Sequence, residues 1–182
     1  FIMLIKQCSK SPRRPQSTAR LAAVTTIVYH ARGGNVYDAR SGIAYALEES
    51  RRETTTEIFD RIAPGWYDFR HWSIFRAELE VLAKRWRRGR LINLGCAHGA
   101  DFLPFVTDFD LNGVDFSAEM LRQAGRYQSK FGFSAGLVRA DVGCLPFADE
   151  SFDRAISVAT YHHLPRERQA AAFAELYRVL SP

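Results

Sequence analysis

LINLGCAHGA (residues 91–100) and LNGVDFSAEM (residues 111–120) decide how this 182-residue chain reads. Leu91 to Leu94 is a short apolar run, the mark of a strand buried on both faces. Gly95 to Gly99 is a glycine-bearing turn, and a helix should follow it toward Val106. Phe109 to Val114 reads as a second strand that ends at Asp115. Ser117 is placed to cap the next helix, with Met120, Leu121 and Ala124 facing inward. The alternation continues with strands at Phe133–Val138 and Phe152–Val158. Pro165 suits the first position of a last helix, whose core face is Phe173, Leu176, Val179 and Leu180. Strands alternating with helices predict an α/β fold with a doubly wound parallel sheet.

N-terminal to this unit, residues 53–90 read as a helical segment. Thr56 and Glu57 open a short helix with Ile58, Phe59 and Ile62 on its apolar side, and Pro64-Gly65 should end it. Trp66, Tyr67, Phe69 and Trp72 form an aromatic cluster. A second helix is expected from Arg70, with Trp72, Phe75, Leu79, Leu82 and Trp86 along one face. Lys84, Arg85, Arg87 and Arg88 load its last turns, where cations suit the helix dipole, and Gly89 should stop it. Residues 1–52 lack a consistent period. Ser9 to Arg20 has the composition of a disordered segment, and Ile43 to Arg52 has that of a short helix. This stretch is either a nucleic-acid-binding or targeting arm or an irrelevant extension, and the second reading is favoured.

The net charge of +5 misleads if it is taken whole. Residues 1–52 hold nine Lys/Arg and three Asp/Glu, a balance of +6, whereas residues 53–182 balance at −1. The basic character therefore belongs to the tail and says nothing about nucleic-acid binding by the α/β unit. No apolar run approaches the roughly 20 residues of a membrane span. The three cysteines, Cys8, Cys96 and Cys144, form neither a CxxC pair nor an even set, so no zinc site or disulfide framework is indicated. A reducing, cytoplasmic setting is the expectation. The chain begins at Phe1 and stops at Ser181-Pro182 directly after a helical pattern, which reads as a fragment.

Ligands of open α/β sheets bind at the carboxyl ends of the strands, and four strand ends supply candidates. At the first, Asn93-Leu94-Gly95-Cys96-Ala97-His98-Gly99, glycines permit close backbone approach. At the second, Asp115 stands twenty residues after Gly95, where a carboxylate can accept both ribose hydroxyls. The alternative is that Asp115 only caps the helix near Ser117. At the third, Asp141 can accept the exocyclic amine of an adenine, or simply open a turn before Gly143. At the fourth, Ala159 to Pro165, His162 and His163 can contact a substrate or act as a base, although packed or capping histidines are equally expected. Neighbouring residues diverge, so one of the two is expected to face the site. His98 alone does not complete a metal set. A nicotinamide site fits poorly, because the run Gly95-Cys96-Ala97-His98-Gly99-Ala100 lacks the G-x-G-x-x-G spacing.

Leu91–Gly99, Leu111–Leu121, the stretch Asp141-Val142-Gly143-Cys144-Leu145-Pro146-Phe147 through Asp153, His162-His163-Leu164 and Glu175–Pro182 together resemble the motifs of class I S-adenosylmethionine-dependent methyltransferases, in particular the type 11 domain. The resemblance covers residues 91–182, about half of the chain. It implies a Rossmann-like sheet, S-adenosyl-L-methionine as cofactor and a methyl acceptor as partner. Carried over, it places Gly95, Cys96, Ala97 and Gly99 at the methionine part, Asp115 and Phe116 at the ribose, Asp141 and Val142 at the adenine, and Ala159 beside the methyl group. Two residues depart from the pattern: Asn93 stands where the family often has an acid, and Ala97 stands where it has a glycine, so that Ala97 should avoid a positive φ. The segment Ile58–Tyr67 with Arg70-His71 is also similar to methyltransferases of wobble-uridine carboxymethyl groups in tRNA. On that reading Arg70 would hold a carboxylate or phosphate, and Lys84–Arg90 would meet RNA. A small-molecule acceptor is at least as well supported. A non-catalytic binding subunit and a basic-armed RNA binder are the alternatives. The family continues beyond Pro182 with further strands. The four strands here, in the order 3-2-1-4, should therefore leave the fourth as an exposed apolar edge.

Overall fold

The computed structural model describes Ile2–Ile5, Thr25–Ile27 and residues 54–182. Its elements are β1 (Ile2–Ile5), β2 (Thr25–Ile27), α1 (Thr55–Phe69), α2 (Arg76–Trp86), β3 (Gly89–Leu94), β4 (Phe109–Asp115), α3 (Ala118–Phe131), β5 (Gly136–Arg139), β6 (Arg154–Val158) and α4 (Arg166–Val179). Short 3-10 segments cover Ala100–Phe105 and Tyr161–His163. The disordered reading of Ser9–Arg20, the helix at Ile43–Arg52 and Cys8 all lie outside the described residues.

β3, β4, β5 and β6 are parallel and stand in the order β5-β4-β3-β6. The chain therefore steps outward from β3 to β5 and returns on the other side of β3. That reversal opens a crevice at the carboxyl ends of the strands. The period-2 alternation of β3 divides the core. Ile92 and Leu94, with Val114 and Ala155, pack on Ala172, Leu176 and Val179 of α4. Leu91, with Leu111 and Ile156, packs on Leu79 and Leu82 of α2 and on Phe102, Phe105 and Phe109.

The expected bare edge of β6 is covered. β1 pairs with it antiparallel, from Ile2 opposite Val158 to Ile5 opposite Ala155, and β2 pairs with β1. Four consecutive apolar residues suffice for such an edge strand, but they are too few to register as a period in a basic tail. Two helices also differ from expectation. α1 runs through Pro64-Gly65 to Phe69. It is held from both ends: Thr54 and Glu57 form a capping box, and buried Ala63 and Tyr67 anchor its second half. Asp60 accepts hydrogen bonds from the Ser117 hydroxyl and the Glu119 N–H, so α1 also caps α3. α2 begins at Arg76 rather than Arg70, leaving Arg70–Phe75 as a linker. It ends at Trp86, and the cap residue Arg87, at a φ of 67°, stops it two residues before the expected Gly89. β5 starts at Gly136, because Phe133 is drawn into ring contacts with Phe102 and Tyr127.

Removing residues 1–52 uncovers the β6 edge. The shortened chain should aggregate at concentrations where the full chain stays monodisperse, as read by light scattering, and equal behaviour would contradict the pairing of β1 with β6.

Candidate active site

The carboxyl ends of β3, β4 and β6 open into one cavity of about 530 Å³, within the ordinary range for small-molecule sites. Its floor is the turn after β3. The turn is shaped from three sides. Ala97 N–H donates to the Asp115 carboxylate at 2.9 Å. The hydroxyls of Ser157 and Thr160 both donate to the Leu94 carbonyl, each at 2.9 Å. Gly113, beneath the turn, leaves room for Cys96 Sγ and Phe102, which a Cβ there would meet at 2.8 and 2.9 Å.

Gly95 sits at φ +72°, and a Cβ there would lie 2.1 Å from Thr160 Oγ1. Ala97, expected to avoid a positive φ, adopts 46°, and Ala159 adopts 56°. Each such alanine carries strain of about 1 kcal/mol, and both border the cavity. The Asp115 bond accounts for Ala97: its N–H reaches the carboxylate only because the turn folds back at that residue.

Asp115 is nearly buried. Its second oxygen accepts the Ser117 N–H at 2.9 Å, so Asp115 braces the helix start and also lines the cavity. Burial raises its carboxyl above the usual range, against the N–H donors of Ser117 and Ala97. Asp141 also lines the cavity. It accepts the Gly143 N–H at 2.8 Å and a bond from Arg168 at 2.7 Å. Burial opposes ionisation there, but those two donors prevail and lower its pKa. Phe116, Val142 and Cys96 complete this side. Burial pushes the Cys96 thiol well up, so it is no nucleophile.

His162 and His163 both border the cavity, where one was expected. The 3-10 turn over Tyr161–His163 sets the two rings 3.9 Å apart, and His163 also meets the edge of Phe59 at 5.2 Å. Burial lowers the pKa of each. Arg70, from the linker, lines the opposite wall and stacks over Trp66 at 4.5 Å.

Two predicted residues do not reach the cavity. Asn93 is fully buried, and neither its amide nitrogen nor its carbonyl oxygen has a hydrogen-bond partner. By alternation it shares the α2 face with Leu91. Gly99, at φ +87°, serves the start of the 3-10 segment. Other residues on the wall were missed: His98, Asp101, Ser73, Trp72, Thr160 and Arg168. Asp101 in a first helical turn reads from sequence as a helix-dipole partner, and nothing in the sequence of α4 marks Arg168. Burial lifts the Asp101 carboxyl to about 6, against the Ser73 hydroxyl that donates to it and the nearby charge of Arg70. His98 is buried between the ring edges of Tyr67 and Tyr127 and lies against the Arg70 backbone. Burial lowers its pKa to about 4. Among the described residues, no group of His, Cys, Asp and Glu could hold a metal ion. No described helix is long and apolar enough to cross a membrane.

The sequence profile of the methyltransferase domain family matches residues 91–182. The chain belongs to that family, and its parallel sheet with flanking helices is the class I methyltransferase fold. A protein of Encephalitozoon cuniculi that carries a methyltransferase name is 37% identical over 113 residues, covering 61% of this chain and 48% of that protein. A demethylmenaquinone methyltransferase of a Roseiflexus species is 36% identical over 142 residues, covering 72% of this chain and 57% of its own. Among solved structures, the PH0226 protein of Pyrococcus horikoshii superposes with a TM-score of 0.58 at 28% identity, over 69% of this chain and 61% of that one. The chain spans about half the length of the two curated relatives named.

Two predictions follow from this geometry. Gly95→Ala forces both the positive φ and the Thr160 clash, and should lower unfolding free energy by about 2–4 kcal/mol in urea titrations. Gly125→Ala, in open space on α3, should be neutral or raise it by up to about 1 kcal/mol. Equal effects would refute the close packing of the turn. The second concerns acid. His98 titrates near 6.5 when unfolded and near 4 when folded, so its contribution falls as pH drops through that window. Asp101 titrates near 3.8 unfolded and near 6 folded, so its contribution rises over much the same range. Each is of order 3 kcal/mol, and they oppose one another. Asp101→Asn should therefore lose stability between pH 6.5 and 4 much more steeply than the parent chain. Parallel pH profiles would contradict this.

Proposed function

We propose that the chain binds S-adenosyl-L-methionine in this cavity and transfers its methyl group to a small-molecule acceptor. One observation carries the reading: the Asp115 carboxylate and the Gly95 turn stand on adjacent parallel strand ends, joined through the Ala97 N–H. The donor set suits the cofactor. Asp115 has lone pairs left for two ribose hydroxyls, and Gly95, whose Cβ position is filled by Thr160, presents turn backbone on the cavity lining where a methionine chain would pass. Phe116, Val142 and Asp141 border the place of an adenine. Bound there, the cofactor supplies an electrophilic methyl group.

Acceptor contacts in this reading fall to the wall formed by His162 and His163. With their pKa values depressed, both rings are neutral near pH 7 and able to take a proton from an acceptor hydroxyl or amine. A small molecule is favoured over the carboxymethyl group of a tRNA uridine. The Lys84–Arg90 run lies before and at the start of β3, and the cavity lies past its far end. Four strand residues, Leu91 to Leu94, separate the end of that run from the cavity, about 13 Å, so the basic run does not reach the acceptor atoms held in the cavity.

Calorimetry with S-adenosylhomocysteine tests the reading. The parent chain should bind it, and Asp115→Ala should weaken binding at least ten-fold through loss of the ribose hydrogen bonds (about 1.5–3 kcal/mol each). Absence of binding by the parent chain would overturn the proposal and favour a non-catalytic binding role.

A further inference from the structure

Residues 140–151, between β5 and β6, carry no helix or strand, yet this stretch places Asp141 and Val142 on the cavity lining. Helix α4 holds it there. Toward the end of the helix, the Arg178 guanidinium donates to the carbonyls of Leu145 and Phe147 at 2.9 and 2.7 Å, and the Glu175 carboxylate accepts the Leu145 N–H at 2.7 Å. Val142 and Leu145 are buried in one cluster with Ala172, Leu176 and Val179. At the start of the helix, Arg168 reaches Asp141 at 2.7 Å. The Gly143 N–H takes the other carboxylate oxygen at 2.8 Å, so each oxygen has one donor and keeps a lone pair. The helix start is itself registered on the turn that carries His162 and His163. There the Gln169 amide donates to the carbonyls of Leu164 and Tyr161 at 3.2 and 3.4 Å. Arg168 and Asp141 both line the cavity. Their side chains are about half exposed, 53% and 42%, and such pairs add little to stability. The effect of this one falls on the direction in which the carboxylate points.

We propose that Arg168 is a positioning residue that sets the base specificity of the site: by pinning one oxygen of Asp141 from α4, it aims the carboxylate at a base that carries an amine and against one that carries a carbonyl oxygen at the same place. The proposal rests on the cofactor reading above and adds to it a determinant on a separate helix, outside the strand ends. An ionised carboxylate only accepts hydrogen bonds. An exocyclic amine facing it is satisfied, whereas a carbonyl oxygen facing it meets a like partial charge and gains no donor. That choice is enforced only while the carboxylate keeps its direction. With the Gly143 N–H alone, Asp141 is tethered through one oxygen and is free to turn toward the solvent on its exposed side. Arg168 removes that freedom, and its own backbone is fixed because the first turn of α4 is tied to the histidine turn through Gln169.

The test pairs S-adenosylhomocysteine with S-inosylhomocysteine, the same molecule with the base amine replaced by a carbonyl oxygen. In calorimetry the parent chain should prefer S-adenosylhomocysteine about ten-fold or more. Arg168→Met, which keeps the stem and removes the donors, should cut that preference about five-fold, chiefly by weakening S-adenosylhomocysteine. Arg168→Lys, which returns a cation to Asp141, should recover most of it. In an Asp141→Ala background, Arg168→Met should change neither ligand further, as befits a residue that acts through another. Equal losses for the two ligands, or an undiminished effect of Arg168→Met in that background, overturn the proposal, because Arg168 then acts on the ligand or the fold directly. Should the variants fail to fold, the parent chain decides: equal affinity for the two ligands overturns the proposal and leaves the cavity as a cofactor site. Binding of neither ligand by the parent chain overturns the cofactor reading as well.

Discussion

The hydrogen bond from Ala97 N–H to the Asp115 carboxylate ties the end of β3 to the end of β4, and the site is arranged around it. To make that bond the chain must turn back sharply after Leu94. The turn places Gly95 and Ala97 in left-handed conformations and brings the Leu94 carbonyl under the hydroxyls of Ser157 and Thr160. Three parallel strands are thereby locked at their carboxyl ends, where strand order reverses. Strain at Ala97 and Ala159 is tolerated because the surrounding packing leaves the backbone no alternative. A cavity floor made of backbone rather than side chains is the result.

The helices contribute by closing the remaining sides. Asp60 of α1 caps α3 beside Asp115, so the N-terminal helix is registered against the strand ends and not merely laid over them. The linker after α1 then crosses the mouth of the turn, fixed by Tyr127 and by Asp101. Charge in the cavity is distributed unevenly. Asp141 is satisfied by Arg168 and Gly143, whereas the half-buried Asp101 and the buried His98 have few partners. Between about pH 6.5 and 4 the titrations of these two groups oppose each other, which flattens the acid dependence of the fold.

Much of this was legible in the sequence, for identifiable reasons. Four strand ends and their cavity-lining residues follow from short apolar runs that close on Gly95, Asp115, Asp141 and Ala159, because buried parallel strands leave few other positions for polar residues. The α1 and α2 boundaries were not legible. Pro64-Gly65 looks like a stop, and only the tertiary anchors at Asp60, Ala63 and Tyr67 carry the helix past it. Arg70–Phe75 has helical spacing but is pulled into a linker whose partners, Asp101 and Tyr127, are distant in sequence. Asn93 was misplaced for a simpler reason: the resemblance supplied a role, whereas strand alternation turns its side chain away from the cavity. The pairing of Ile2–Ile5 with β6 is non-local and leaves no periodic trace.

The most direct test of the account is a crystal structure of the protein with S-adenosylhomocysteine. The account predicts the ribose hydroxyls on the Asp115 carboxylate, with the thioether chain running over Gly95. A ligand seated elsewhere, or one bound in the cavity with Asp115 turned away from the ribose, would contradict it.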